Sequence, residues 1–244
     1  MGILANTVSI CQFQVVGELA APITFDWVQE RLGQHRFRCI EKSTEELSIG
    51  WVHLDDPRAS GFEAPHDFWR DHYLAFSLRR DQRRIPGALL RAHLQQAEQE
   101  FIAAHPGMQK VPKGKREELR EAVRGSLLAR LLPTPTVYDA VWDTRRGVLT
   151  LATLNPKVSE MFEDLFRASF DGLRLVTIHP FSRAEKVVGE ELRPALQQAN
   201  RANGDAVLEM IRDNQWLGED FFLWLLHRTL EGSAQGLIAV EGPA

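Results

Sequence analysis

Residues 79–130 read RRDQRRIPGALLRAHLQQAEQEFIAAHPGMQKVPKGKREELREAVRGSLLAR, and the rest of the chain is organised around them. The stretch holds twelve Lys or Arg (Arg79, Arg80, Arg83, Arg84, Arg91, Lys110, Lys113, Lys115, Arg116, Arg120, Arg124 and Arg130) against six Asp or Glu. Its net charge is therefore +6, in a chain whose 29 basic and 33 acidic residues sum to −4, which leaves −10 for everything outside it. Charge separated this sharply sets up a local potential that attracts polyanions even though the whole molecule is mildly acidic.

The pattern within the stretch is helical. After Pro86 and Gly87, the residues Leu90, Leu94, Ala97 and Phe101 recur at the spacing of one helix face, and His105-Pro106-Gly107 stops the run. Leu119, Val123, Leu127 and Leu131 make the stripe of a second helix, which Pro133 ends. Two such helices joined by a short basic loop predict an antiparallel hairpin. On the second helix Lys113, Arg116, Arg120 and Arg124 fall in one row bordering the apolar stripe, with Glu117, Glu118 and Glu121 beyond it. A solvated face with local ion pairs would explain the row taken alone. The further clusters at Lys110, Lys113 and Lys115 and at Arg79, Arg80, Arg83 and Arg84 favour a phosphate-binding surface instead.

Composition narrows the class. A chain of 244 residues with 44% hydrophobic and 25% charged residues is ordinary for a globular protein with a real core. No apolar run reaches the roughly 20 residues that span a bilayer, and the N-terminus lacks the basic start and cleavage site of a signal peptide, so a cytoplasmic protein is expected. Cys11 and Cys39 have neither metal nor redox spacing, and both are expected as reduced, packed thiols.

Taken in order, residues 7–16 alternate and are β-branched, which predicts a strand. Residues 22–34 predict a helix capped by Thr24, 37–40 and 47–52 short strands, 55–68 a loop and 73–78 a strand. Beyond the hairpin, 137–142 and 148–153 flank a turn at Asp143-Thr144-Arg145-Arg146-Gly147, with Gly147 supplying the positive φ. Asn155 or Ser159 then opens a helix bearing Phe162, Leu165, Phe166 and Phe170, and 173–178 is a strand. From Ser182 onward helices are expected at 193–200, 205–211 and 218–230, and the tail 233–244 is expected to fray. The last helix, with Phe221, Phe222, Trp224, Leu225 and Leu226, is apolar on more than one side and reads as buried or as an oligomer contact. The fold expected is α+β. Two small sheet-and-helix units (1–80 and 134–180) form a platform, a basic helical hairpin (81–133) projects from it, and 181–244 is a helical C-terminal region.

Two other function classes remain open on the residues. His53 with Asp55 and Asp56, His66 with Asp67, and Asp71 with His72 could serve a metal-dependent hydrolase or nuclease, although loops also collect Asp and His for turn formation. No Gly-rich phosphate loop, nucleophile elbow or Cys-based triad is present, so no catalytic residue, metal or cofactor is assigned. The third class is a protein-protein adaptor working through the 221–226 helix. Nothing in the basic stretch matches a recognition helix, zinc-finger spacing or base-stacking motif, which points away from sequence-specific readout.

Gly50-Trp51-Val52, the strand at 73–78 leading into the basic hairpin, and Lys115-Arg116-Glu117-Glu118-Leu119-Arg120-Glu121-Ala122-Val123 form an ordered series. It continues with Leu131-Leu132-Pro133, with Asp143-Thr144 and Gly147 ahead of Val148-Leu149-Thr150-Leu151, and with Phe221-Phe222-Leu223-Trp224-Leu225. Over residues 7–180 and 216–228 this series resembles the recombination-associated RdgC family of bacterial DNA-binding proteins. The resemblance implies a ring-shaped homodimer with a positively charged hole, non-specific binding of double- and single-stranded DNA, restraint of RecA-driven recombination and association with the nucleoid. The tip helices would be 86–105 and 113–131. The DNA-contacting residues on and beside them would be Arg79, Arg80, Arg83, Arg84, Arg91, Lys110, Lys113, Lys115, Arg116, Arg120 and Arg124. Longer members continue for about another domain beyond the point where this chain reaches Leu237-Ile238-Ala239-Val240.

Overall fold

The computed structural model describes residues 2–18, 22–43, 45–204 and 206–231. The chain is α+β. Its strands are β1 (Cys11–Gly17), β2 (Leu47–His53), β3 (Trp69–Arg70), β4 (Tyr73–Gln82), β5 (Thr134–Asp143), β6 (Val148–Leu151) and β7 (Leu173–Thr177). They form one sheet in the order β2-β4-β5-β6-β1-β7, with β3 paired to β4. The strands read as two separate sheet units thus join in a single sheet. Its centre is the long antiparallel ladder of β4 with β5, from Tyr73 opposite Asp143 to Gln82 opposite Thr134.

Two compact units divide the chain, one of residues 1–11 and 15–175, the other of residues 12–14 and 176–244. In the first, helix α1 (Phe25–Gln34) starts where Thr24 accepts a hydrogen bond from the Trp27 N–H at 3.3 Å, the expected cap. Helix α4 (Pro156–Ser169) starts at Asn155, whose side chain accepts from the Lys157 N–H, with Pro156 in the first helical position. The α4 spacing buries Val158, Phe162 and Phe166, with Phe170 just past its end. These rings pack on the sheet through Trp51, Phe76 and Trp142. Trp51 lies 5.0 Å from Phe76 and 5.3 Å from Phe162, both edge to face, and Trp142 meets Phe166 and Phe170 at 5.6 Å. The aromatic centre has a polar anchor. The buried Trp51 indole N–H donates to Ser169 Oγ at 2.8 Å, and Ser169 donates in turn to the Leu165 carbonyl.

Gly50 precedes Trp51 for a steric reason, since a Cβ there would stand 2.4 Å from the backbone of Phe37. That approach seats residues 35–37 beside β2 through the Phe37 N–H to the Trp51 carbonyl and the Trp51 N–H to the His35 carbonyl. The expected strand at 37–40 is therefore an irregular segment with one bridge, Arg36 to Trp51, and it buries Phe37 and Ile40, three residues apart, which the alternation of a strand would place on opposite faces. The expected strand at 7–16 begins later, at Cys11, and the 148–153 strand ends at Leu151. The turn before it is as expected: Gly147 has φ +62°, and Asp143 accepts from the Arg145 and Arg146 N–H groups. Burial pushes the half-buried Cys11 thiol up, whereas Cys39 is exposed, contrary to the packed thiol expected.

The hairpin consists of α2 (Gly87–Ala104) and α3 (Lys113–Arg130), which pack on each other. The 73–78 strand runs on as β4 to Gln82, so Arg79 and Arg80 belong to the sheet and the helices begin only at Gly87. The second unit contains α5 (Pro180–Val187), α6 (Arg193–Gln198), α7 (Val207–Asp213) and α8 (Trp216–Glu231), with Phe181 and Leu196 buried. Helix α5 falls where no separate helix is expected, and the frayed tail expected at 233–244 lies outside the described residues. Ser169→Ala should lower stability by about 1–3 kcal/mol by leaving the Trp51 N–H buried without an acceptor. Urea denaturation checks this, and a loss below about 0.5 kcal/mol would mean that the hydrogen bond is dispensable.

Candidate nucleic-acid interface

The eleven basic residues singled out from the sequence separate into groups once they are placed. Arg83 is 3% exposed. Its guanidinium donates to five carbonyl oxygens, those of Leu131, Ser43, Glu45, Ile40 and Glu41, at 2.5–3.0 Å. It is therefore a structural clamp and no phosphate ligand, a correction that follows from its five donors being consumed inside the fold. Arg79 makes a bidentate pair with the buried Asp81, both bonds 2.8 Å, donates to the Pro57 carbonyl and lies 4.3 Å over the Phe37 ring. It too is withdrawn from the interface, because its fork is saturated by a carboxylate with which a phosphate would have to compete.

The hairpin charges behave differently. Arg116 pairs with Glu98 at 2.6 Å and holds α3 to α2, Arg124 pairs with Glu46 through two contacts of 2.7 and 2.9 Å, and Lys115 pairs with Glu118 at 2.7 Å. The pairing of 98 with 116 across the 105–112 loop makes the helices antiparallel, as expected. All three basic side chains remain 43–62% exposed, so their pairs hold only loosely against solvent and a competing anion. Among the described residues Arg91 bonds only to the Gly87 carbonyl one turn back. Arg84, Lys110, Lys113 and Arg120 have no ion-pair partner among the described residues and stand on the surface.

The start of α3 is electrostatically unusual. Its first four residues, Lys113 to Arg116, include three cations and no acid, and Pro112 before them offers no side-chain cap. The N-terminal end of a helix already carries partial positive charge, so cations there oppose the dipole by a few tenths of a kcal/mol each. Helix dipole and side chains alike are disposed to receive negative charge from outside. The apolar stripe is shallow: Leu127 is buried near the sheet, whereas Leu119, Val123 and Leu131 are half-buried, and nothing on α2 is fully buried. Leu128, absent from the expected stripe, is buried beside Leu127.

At the base of the hairpin, Arg80, Gln82, Arg84, Thr134 and Thr136 line a cavity of about 210 Å³. The two threonines escaped the sequence reading, although their alternation with Pro135 on a strand opposite Gln82 and Arg80 would have placed them on one face. The His and Asp residues of the 53–72 region do not converge. Asp67 accepts from the Glu63 and Ala64 N–H groups at 2.9 and 2.7 Å and closes a single 3-10 turn (Pro65–Asp67), with His66 at 3.5 Å and His53 at 3.9 Å. Asp55 pairs with Arg70, Asp56 with Arg58 and Asp71 with His72. Among the described residues no three His, Cys, Asp or Glu side chains stand close enough to share a metal ion.

A family model described as "Putative exonuclease, RdgC" matches residues 11–212 of the 244-residue chain. The chain belongs to the RdgC family. The match takes in the whole sheet and the basic hairpin and ends within α7, so the RdgC pattern covers the clamp at Arg83 and every cation described above. Comparison with curated proteins returns no match.

Two outcomes are expected from these contacts. Arg83→Lys, which offers three donors in place of five, should cost about 2–4 kcal/mol by chemical denaturation, because several buried carbonyls lose their partner. For Asp67, burial works to raise the carboxyl, but the Ala64 N–H, His53, the Glu63 N–H and His66 together hold it below its ordinary 3.8. The stabilisation is then complete above that ordinary value and lost as pH falls through the lower folded one. Asp67→Asn should therefore flatten the acid limb of a stability-versus-pH curve below about pH 4, and an unaltered limb would remove Asp67 from the account.

Proposed function

We propose that the chain is a sequence-non-specific DNA-binding protein of recombination control, acting as a homodimer and without catalysis. The observation that carries this reading is the set of exposed cations on the hairpin, with Lys110 and Lys113 at the positive end of α3 and Arg120 two turns further along it, none with a carboxylate partner among the described residues. Lys and Arg presented in this way neutralise phosphates and release counterions, which yields affinity without base information. The shallow packing of the hairpin fits the same use, because its residues are spent on surface charge and little on core. Self-association is supported by α8, where Phe221, Phe222, Leu223, Trp224 and Leu226 are each about half exposed or more, an apolar surface that a lone soluble chain seldom presents. Restraint of RecA-type recombination and association with the nucleoid are the biological setting of the proposal, since a neutral coat on DNA competes with any other strand-binding protein.

The description of the family supports a second reading, an exonuclease, whose best residues are His53, His66 and Asp67. One experiment separates the two. Binding of the purified chain to random-sequence duplex and single-stranded DNA is measured across a salt series, with magnesium or with chelator, while DNA length is followed on a gel. The proposal expects intact DNA and a log affinity falling linearly with log salt in both conditions. Lys113→Glu with Arg120→Glu should reduce that slope by about two and weaken all sequences alike, with folding unchanged. No binding at low salt would sink the DNA reading, and shortening of the DNA only with magnesium would establish the exonuclease.

A further inference from the structure

The cavity at the base of the hairpin is built from one face of the central ladder. Arg80 stands opposite Thr136 and Gln82 opposite Thr134, so these side chains project from the same side of β4 and β5, and Arg84 follows two residues later. On this face the preceding residues Leu74, Phe76 and Leu78 are buried, and the Phe76 ring lies 6.5 Å from Phe162 of α4 and 6.3 Å from Phe170 just beyond it. The face therefore changes from core to an open recess at Arg80.

The donors in that recess outnumber its acceptors. Arg80 Nε is buried and has no hydrogen-bond partner. Among the described residues only its Nη2 is engaged, donating to Gln82 Oε1 at 2.5 Å, a contact that leaves the Gln82 amide N–H groups for another acceptor. The Thr136 hydroxyl donates to the Arg80 carbonyl, whereas the Thr134 hydroxyl and the Arg84 guanidinium have no hydrogen-bond or ion-pair partner among the described residues. No carboxylate lines the space: Asp81 alternates to the opposite face and is held there by Arg79. A buried guanidinium N–H without an acceptor is rare in native proteins, and its natural complement is an oxyanion that accepts from two arginines at once. The recess, at about 210 Å³, is smaller than the roughly 300 Å³ at which small-molecule pockets begin, and suits a single tetrahedral anion better than a whole nucleotide.

We propose that Arg80, Arg84, Thr134 and Gln82 form a phosphate-binding subsite at the base of the hairpin. Its occupant is a phosphate group of nucleic acid, which the recess would fix on the sheet while the hairpin cations follow the neighbouring phosphates. The choice of a DNA phosphodiester as that occupant rests on the DNA-binding reading, whereas the preference for phosphate chemistry does not.

The test uses the full chain. Orthophosphate is titrated at constant ionic strength against chloride while the Nε–H signal of Arg80 is followed by NMR, in the parent, in Arg84→Gln with Thr134→Val, and in Lys113→Glu with Arg120→Glu. Arg84 and Thr134 are exposed, so their substitution leaves the core intact. The expected result is a saturable shift in the parent and the hairpin variant, and affinity about tenfold or more weaker in the Arg84 and Thr134 variant. A shift that chloride reproduces, or one that the Arg84 and Thr134 variant retains at full affinity, would overturn the subsite. The DNA arm identifies the source. A salt slope lowered by about one in the Arg84 and Thr134 variant assigns the subsite to the backbone phosphodiester. An unchanged slope with lost orthophosphate binding assigns it to a free or terminal phosphate. Saturable orthophosphate binding by a chain with no DNA affinity would retire the hairpin reading and keep the subsite. DNA binding without a saturable shift would do the reverse.

Discussion

One buried guanidinium holds the basic hairpin of this molecule in place. Arg83 stands where β4 leaves the sheet for the hairpin, and it gathers carbonyls from the 40–45 segment and from Leu131, the residue just past α3. Both ends of the hairpin and the loop before β2 thus meet at a single cation. Carbonyl dipoles, and no carboxylate, surround it, so the site imposes direction as well as attraction: each N–H of the planar fork must find its own oxygen. A hairpin with so little buried apolar surface of its own could not otherwise keep a defined position at its base. Arg124 bound to Glu46 adds a second tie on the surface side of the same junction.

The clamp explains why a stretch of uniform basic character does two different things. Arg79 and Arg83 were taken inward during folding and matched with acceptors, whereas Lys110, Lys113, Arg120 and Arg84 were left outside, unmatched by any carboxylate among the described residues. Burying a charge is expensive unless it is fully hydrogen-bonded, so a guanidinium in the sheet region must be saturated by the protein. An exposed Lys or Arg carries no such requirement and keeps its field available to a polyanion. Arg80 falls between these cases, with a buried Nε and no acceptor.

Much of the architecture was legible in the chain. The stops at His105-Pro106-Gly107 and Pro133 bounded two helices correctly, Thr24 caps the helix it was expected to cap, Asn155 and not the alternative Ser159 caps α4, and the Phe162, Phe166 and Phe170 spacing announced the buried aromatic face. These are signals of local stereochemistry and periodicity, which a short window contains in full. The failures share another cause. Residues 37–40 contain two buried apolar side chains but lie against Gly50 in a path that the partner strand dictates, and the β-branched 7–10 segment stays outside β1, which begins at Cys11. Strand pairing is a long-range decision.

By itself, then, the sequence determined the helical hairpin, the concentration of positive charge on it and the aromatic face that would form the core, because each depends on residues a few positions apart. Tertiary structure alone decided which cations are free. Arg79 and Arg83 look no different from Arg80 and Arg84 along the chain, and only the ladder of β4 with β5 shows that Arg79 is turned toward Asp81, that Arg83 lies among five carbonyls, and that Arg80 shares a recess with Thr134 and Thr136. The physical reason is that a charge's role is set by the acceptors around it. Those acceptors, Ile40, Glu41, Ser43, Glu45 and Leu131, come from segments some forty residues away on either side.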